Sequence, residues 1–216
     1  LTSRGLGDVY KRQFLRGTFH QAMFFIAIGA CAPLIVKSNN SSEYIATSIY
    51  SCAVMMMFGF SALYHRFNWN KVKKRQFRKL DHIGIFLMIA GTFTPFCLLV
   101  LPWSSGFILL ILIWAIALFG ILQVLFIPDL NRMIRASIYI GMGLIALPYM
   151  SEMFKVFSTA NTVLIIIGSF LYIIGAIGYG LKIPKLSPRF FGYHEVFHSL
   201  VSIAAILHFI VIYSII

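Results

Sequence analysis

Seven long apolar stretches constrain this chain more than any other feature of its sequence. They run over residues 14–36, 43–64, 80–101, 106–127, 133–150, 161–181 and 194–216. Each is close to the ~20 residues that an α-helix needs to cross the hydrocarbon core of a bilayer. Because hydrocarbon offers no partner to a backbone amide or carbonyl, a spanning segment must bond internally, as a helix does. We therefore expect an all-α membrane protein, a seven-transmembrane helix bundle formed by a single domain over residues 14–216.

The low content of charged residues excludes an ordinary soluble domain. Charged residues make up 11% of the chain and hydrophobic residues 60%. Six acidic and eighteen basic side chains would not cover a soluble core of this size. Residues 1–13 stand apart from this pattern, because residues 8–13 read like the translation of a transposon end used in sequencing libraries. We expect that N-terminal segment to be non-native.

The basic residues alternate between connectors and predict the orientation of the bundle. The segment before the first stretch is basic, and so are the second, fourth and sixth connectors, the last through Lys182, Lys185 and Arg189. The second connector, residues 66–79, holds seven positive side chains, whereas the first, third and fifth carry almost no net charge. By the positive-inside rule we expect a cytoplasmic N-terminus and a C-terminus outside. In a membrane protein, a basic run such as residues 66–79 determines the topology or contacts anionic lipid, so we expect no nucleic-acid partner.

In this orientation most histidines fall at one level, near the cytoplasmic surface. Five of the six histidines and two of the six carboxylates lie at the inner ends of the first, second, third and seventh stretches. They are His20, His65, His82, His194 and His198, together with Asp81 and Glu195. Polar groups at membrane depth are costly, so their gathering at one level indicates a functional site.

Spacing within the helices sharpens this expectation. Residues 194–198, HEVFH, match the HExxH pattern of zinc metalloproteases, in which two imidazoles on one helix face bind the metal and the glutamate acts as general base. Ser61 and His65 have the same four-residue spacing, so the hydroxyl could orient the ring or a bound water. His208 lies ~15 Å beyond His198 along the helix and is expected to bond to a neighbouring helix. Spacing alone leaves a metal site and a metal-free polar cluster both open.

Four motifs add a resemblance to a known family. They are S61-A-L-Y-H65, D81-H-I-G-I-F-L-M-I-A-G-T-F-T-P95, Y139-I-G-M-G143 and F191-G-Y-H-E-V-F-H-S-L-V201. In this order they resemble the hemolysin III family, the bacterial branch of the progestin and adipoQ receptor superfamily that includes the adiponectin receptors. The resemblance runs from about residue 17 to the end of the sequence. It implies seven helices in the bacterial cytoplasmic (inner) membrane and a zinc ion near the inner leaflet.

The resemblance also assigns roles to residues. It implies zinc held by His65, His194 and His198, with Asp81 contacting a zinc-bound water. Ser61 belongs to the same motif, so Asp81 and Ser61 are the expected catalytic residues. Three imidazoles leave a fourth ligand position for water, which is typical of catalytic zinc sites. The superfamily resembles alkaline ceramidases in this pattern, so we expect a zinc-dependent hydrolase that takes a lipid amide or ester from the inner leaflet.

Two other functions stay open at this point. One is a non-catalytic homeostasis or signalling receptor in which zinc only braces the helices. The other is a membrane-lytic protein, which the family name suggests but the uniformly apolar helices do not favour. A protease is not expected, because related receptors carry a different residue in place of Glu195. Membrane lipid is the expected partner, and the sequence predicts neither a protein partner nor an oligomeric state.

Overall fold

The structure, a computed structural model, is an all-helical bundle. It describes residue 15, residues 17–184, residue 186 and residues 191–216. The α-helices of these ranges are α1 Thr18–Lys37, α2 Ser41–Arg66, α3 Lys71–Leu99, α4 Trp103–Phe126, α5 Arg132–Leu144, α6 Met150–Val156, α7 Thr159–Leu181 and α8 Tyr193–Ile215, with a short 3₁₀ helix at Leu147–Tyr149. Residues 1–13, Lys185 and Arg189, on which parts of the sequence predictions rest, lie outside the described residues.

Seven helical segments in the described part of the chain are long and apolar enough to cross a membrane. Six of them are single helices, and the fifth, Arg132–Val156, combines α5, the 3₁₀ helix and α6. The predicted all-α fold with seven helices of spanning length is confirmed. α4 is the most apolar of the seven, with a mean hydropathy of 2.8, and its outer face exposes side chains such as Phe119 and Phe126. That face suits contact with lipid chains.

Polar residues in the connectors determine where four of the helices begin. Asn40, Asn70, Asn131 and Ser158 each use a side-chain oxygen to accept a hydrogen bond from a backbone amide in the first turn of α2, α3, α5 and α7. The first amides of a helix have no intrahelical acceptor, so such N-caps stabilise its start. Each of these helices accordingly begins directly after its cap.

Two predicted connectors are partly helical. α3 begins at Lys71, so most of the basic run 66–79 forms the first turns of the third span rather than a loop. The polar run 151–155 lies in α6 and extends the fifth span to Val156, beyond the predicted end at residue 150. Lysine and arginine are good helix formers with apolar stems, so a helix continues through them beyond the hydrocarbon region.

The fifth span is broken in the middle. α5 ends at Leu144, and the 3₁₀ turn around Pro148 precedes α6. Proline lacks a backbone N–H, so Pro148 cannot donate the hydrogen bond that would tie it to the preceding turn. α5 packs chiefly against α7, and a Cβ atom placed on Gly141 or Gly143 would meet no atom within 4 Å. This span therefore forms a loosely packed wall of the bundle.

α2 and α3 pack closely along most of their length. A Cβ atom on Gly91 of α3 would lie 2.4 Å from the Cβ of Ala53, and one on Gly84 would lie 3.0 Å from the Cα of Met57. Small residues at such positions allow helix backbones to approach closely within a membrane. Since α2 carries His65 and α3 carries Asp81, this packing positions the two side chains beside each other.

Gly17, the residue before α1, makes another close approach. Its φ of 79° lies in the left-handed region, and a Cβ atom there would lie 2.5 Å from the Cβ of His65. Glycine satisfies both conditions because it has no side chain and tolerates positive φ. The start of α1 thus rests directly on the end of α2.

Candidate metal centre

Three buried histidines meet at one end of the bundle. His65 lies in the last turn of α2, and His194 and His198 lie one turn apart at the start of α8. One ring nitrogen of each lies within 4.8 Å of the other two. The Nε2 atoms of His65 and His194 are 3.1 Å apart, and the ring centroids of His194 and His198 are 4.5 Å apart. The structure thus brings together three side chains that are far apart in the sequence.

This arrangement fits a metal ion. In a tetrahedral site with Zn–N distances of about 2.0–2.1 Å, two ligand nitrogens stand about 3.4 Å apart, close to the His65–His194 separation. Imidazole is a good ligand for zinc, copper, iron and nickel. The three side chains could therefore hold a metal ion, as their spacing in the sequence allowed.

Asp81 lies beside the histidines rather than among them. Its Oδ2 atom is 3.7 Å from the Nε2 of His65, and its side chain is 14% exposed. That distance is too long for a direct hydrogen bond, but a water molecule could bridge the carboxylate and the histidine cluster. Ser61, one turn before His65 on α2, is buried, and its hydroxyl has no hydrogen-bond partner among the described residues.

His20 joins the cluster through a stacking contact that the sequence did not predict. Its ring lies parallel to that of His198, with a centroid distance of 3.8 Å and an interplanar angle of 5°. His20 also packs edge-on against Phe58 and is almost fully buried, and neither of its ring nitrogens has a partner in the described part of the chain. The level of His20 in the first span was predictable, but a sequence does not show which helices are neighbours.

Glu195, the central residue of the HEVFH motif, serves the start of α8. Its Oε2 atom accepts a hydrogen bond of 2.9 Å from the backbone amide of Gly192, and the residue is 1% exposed. A glutamate at the third helical position that reaches back to the N-cap amide is a common stabiliser of helix starts. The structure thus gives Glu195 a local structural role beside the histidines.

The remaining histidines have different surroundings. His208 is buried further along α8, where its Nε2 lies 3.4 Å from the carbonyl oxygen of Ile165 on α7, as expected for an interior histidine. His82 follows Asp81 on α3, and its ring contacts the guanidinium group of Arg135 from α5. Sequence reasoning missed Arg135, because the basic residues of this connector were interpreted only as topology signals.

Two cavities meet at the histidine cluster. We call the first, of about 420 Å³, the polar vestibule and the second, of about 630 Å³, the apolar chamber. The vestibule is lined by residues including Tyr64, His65, Arg78, Asp81, His82, Asp129, Asn131, Arg132, Arg135 and His194. The chamber is lined by His20, Ser61, Asp81, His194 and His198 at one end and by apolar side chains of α3, α5, α6, α7 and α8 beyond them, as far as Phe157. A group at the cluster would therefore face a polar space on one side and an apolar one on the other.

Comparisons with known proteins agree with the motifs. A family model described as Haemolysin-III related matches residues 9–209. Hemolysin-3 of Bacillus cereus is 33% identical over 172 residues, covering 77% of each chain. The Hemolysin-3 homolog of Bacillus subtilis (strain 168) is 28% identical over 195 residues, covering 88% of each. The adiponectin receptor protein of Drosophila melanogaster is 29% identical over 192 residues, covering 78% of this chain and 42% of the receptor.

The family match extends over nearly the whole sequence, from before α1 to within α8. It includes all four motifs and all three histidines of the cluster. Together with the seven helices of spanning length, it supports a multi-pass membrane protein and confirms the resemblance seen in the sequence. The chain belongs to the haemolysin-III-related family, with adiponectin and progestin receptor-like proteins as more distant relatives.

Proposed function

We propose that this protein is a zinc-dependent hydrolase that cleaves an amide or ester bond of a membrane lipid. The observation that carries the proposal is the position of the His65–His194–His198 cluster, with Asp81 beside it, between a polar and an apolar cavity. A lipid has the same division, with a polar headgroup, an apolar chain and the reactive carbonyl at their junction. Zinc is proposed because three imidazoles are a common donor set of catalytic zinc sites.

A zinc ion on these histidines would supply polarisation of a carbonyl oxygen and activation of water at neutral pH. The chain's own residues have separate tasks. Asp81, 3.7 Å from His65, is proposed to accept a proton from an attacking water and to return it to the leaving amine or alcohol. The Ser61 hydroxyl, buried at the same end of the apolar chamber, can hold the substrate carbonyl or the Asp81 carboxylate in position.

The apolar chamber explains the choice of a lipid substrate. Its volume of about 630 Å³ lies within the ~300–1,000 Å³ of typical small-molecule sites. The loosely packed wall formed by α5, with open space around Gly143, lines this chamber. A lipid chain entering there from the membrane would reach the histidine cluster without passing through water.

Metal analysis and a lipid assay test the proposal together. We expect the purified protein to hold about one zinc per chain and to release fatty acid from an amide or ester lipid. His194→Ala and His198→Ala should each lower the zinc content by at least tenfold, because two imidazoles bind zinc far more weakly than three. Asp81→Ala should retain zinc and lose turnover by ~100-fold or more, the usual range for removal of a general base.

His208→Ala is the matched control, since it removes a histidine from the same helix at a distance from the cluster. It should keep the zinc content; its turnover is not a control, because His208 also lines the apolar chamber. A wild-type protein that holds zinc but turns over no lipid in a broad panel of amides and esters would overturn the hydrolase proposal.

A non-catalytic receptor is the second candidate. The contacts among His20, His65 and His198 bring together α1, α2 and α8, so a bound metal would brace helices from both ends of the sequence. On this alternative, Asp81→Ala would leave the cellular phenotype unchanged while His194→Ala would abolish it. A lytic role is suggested by the names of the Bacillus relatives.

A further inference from the structure

Arg135 is an unusual residue to find buried at the end of a membrane span. It is 5% exposed, and its guanidinium group contacts the ring of His82 and donates a hydrogen bond of 3.0 Å to the carbonyl oxygen of Pro128. Its Nε atom is buried without a hydrogen-bond partner among the described residues, and no carboxylate of that part of the chain lies within ion-pair distance of it. A buried charge without a counter-charge is costly, so the position indicates an anionic partner from outside the chain.

The charges around the polar vestibule agree with this. Arg78, Arg132 and Arg135 line it, and the only carboxylates among its described lining residues are Asp81 and Asp129. Arg78 forms an ion pair with Asp129, and this guanidinium holds the pKa of the Asp129 carboxyl below its usual range. Asp81 lies beside His65. Arg132 and Arg135 therefore remain as vestibule cations outside any ion pair with the described residues.

The helix that carries both arginines adds to the positive potential. α5 begins at Arg132 and has no acidic residue in its first turn. The N-terminal end of a helix carries a partial positive charge and free backbone amides, which favour an anion nearby. One of those amides, that of Met133, donates to the cap residue Asn131. The field of the remaining amides reinforces the two guanidinium groups.

We propose that the polar vestibule binds the phosphate group of an anionic lipid, held by Arg132 and Arg135 at the start of α5. Guanidinium groups match phosphate oxygens through paired, charge-assisted hydrogen bonds. Arg132 and Arg135 line the apolar chamber as well as the vestibule, so a phosphate held there allows the attached chain to continue into the chamber past His194. This inference names the substrate class of the proposed hydrolase. It rests on the proposed function only for the cleavage of the bound lipid, and the binding of the phosphate does not depend on that cleavage.

Equilibrium binding in maltoside micelles tests the proposal without requiring turnover. The probes are phosphatidic acid and diacylglycerol with identical acyl chains, which differ only in the phosphate. We expect phosphatidic acid to bind at least tenfold more tightly, a difference of about 1.4 kcal/mol. Arg132→Gln and Arg135→Gln should each remove most of that preference. Because Arg135 is buried and its variant could fail to fold, the half-buried Arg132 provides the second variant.

Lys74→Gln is the matched control, because it removes the same charge from an exposed site on α3 that does not line the vestibule. It should retain the preference for phosphatidic acid. Equal binding of the two lipids, or an equal loss in Lys74→Gln, would overturn the proposal. Inorganic phosphate that binds as tightly as phosphatidic acid would overturn the assignment to a lipid headgroup. A protein that hydrolyses no lipid but keeps the tenfold preference would overturn the proposed function and support the anion site.

Discussion

Glu195 occupies the position that a general base holds in metalloproteases of the HExxH type, yet its carboxylate bonds to the backbone amide of Gly192 at the start of α8. The carboxylate that we propose as proton acceptor is Asp81, which lies beside the histidines and comes from a different helix. On the proposed function, two carboxylates near the histidine cluster have separate tasks, Asp81 in chemistry and Glu195 in helix capping. The separation can be tested because glutamine preserves the capping oxygen of Glu195 and removes its basicity.

We expect Glu195→Gln to keep the zinc content and most of the turnover. Glu195→Ala should lower the free energy of unfolding by ~1 kcal/mol, as the loss of a cap does, and leave the Gly192 amide unpaired. Thermal unfolding of both variants, with zinc analysis, measures the two effects. Near-complete loss of turnover in a zinc-loaded Glu195→Gln protein would instead make this glutamate the general base.

At this scale the sequence predicted which residues gather but not all of their contacts. His65, His194 and His198 could be placed together because the order of seven helices puts their ends at one membrane level. The stack of His20 on His198 and the burial of Arg135 depend on which helices are neighbours, and alternating apolar stretches do not contain that information. Arg135 was also hard to identify from the sequence, because arginine and lysine residues occur both as topology signals and as ligand-binding residues.

At the scale of helices, the contact between Gly17 and His65 links the entry of the first span to a candidate metal ligand. An alanine at Gly17 would have to adopt a left-handed conformation, at a cost of ~1–2 kcal/mol, and would displace the Cβ of His65. We expect Gly17→Ala to weaken zinc binding by tenfold or more, although Gly17 carries no ligand atom. Competition with a zinc chelator of known affinity measures the change.

Gly29→Ala, within α1, is the control, because a Cβ atom there would meet no atom within 4 Å. It should bind zinc as the wild type does. Equal zinc affinity in both variants would show that α1 and the end of α2 are not coupled through this contact.

Element boundaries were the part of the fold that sequence reasoning placed least well. The number of spans followed from apolar length, but α3 begins nine residues before the predicted start of its stretch at residue 80, since the helix starts at Lys71. The Asn70 cap, and not the edge of the apolar run, determines that start. Likewise, hydropathy alone does not show the break at Leu147–Tyr149, which contains Pro148.

At the scale of the whole molecule, the orientation in the membrane remains a prediction from charge. We expect a cysteine at position 39, in the connector between α1 and α2, to react with an impermeant maleimide on intact cells. A cysteine at position 68, between α2 and α3, should react only after the membrane is opened. Both residues are exposed asparagines, and Cys52, the exposed native cysteine, would be replaced by alanine in both variants. The reverse pattern would place the basic connectors outside and contradict the positive-inside assignment.

The two histidines whose Nε2 atoms are 3.1 Å apart are separated by 129 positions in the sequence. During synthesis, His65 enters the membrane with the second span, whereas His194 and His198 arrive only with the seventh. A chain halted before residue 194 would have six of the seven spanning-length helices found in the described residues and only one of the three clustered histidines. If the proposed metal ion needs all three histidines, it can bind only after α8 has joined the bundle, so the metal content of the protein would report whether that helix is in place.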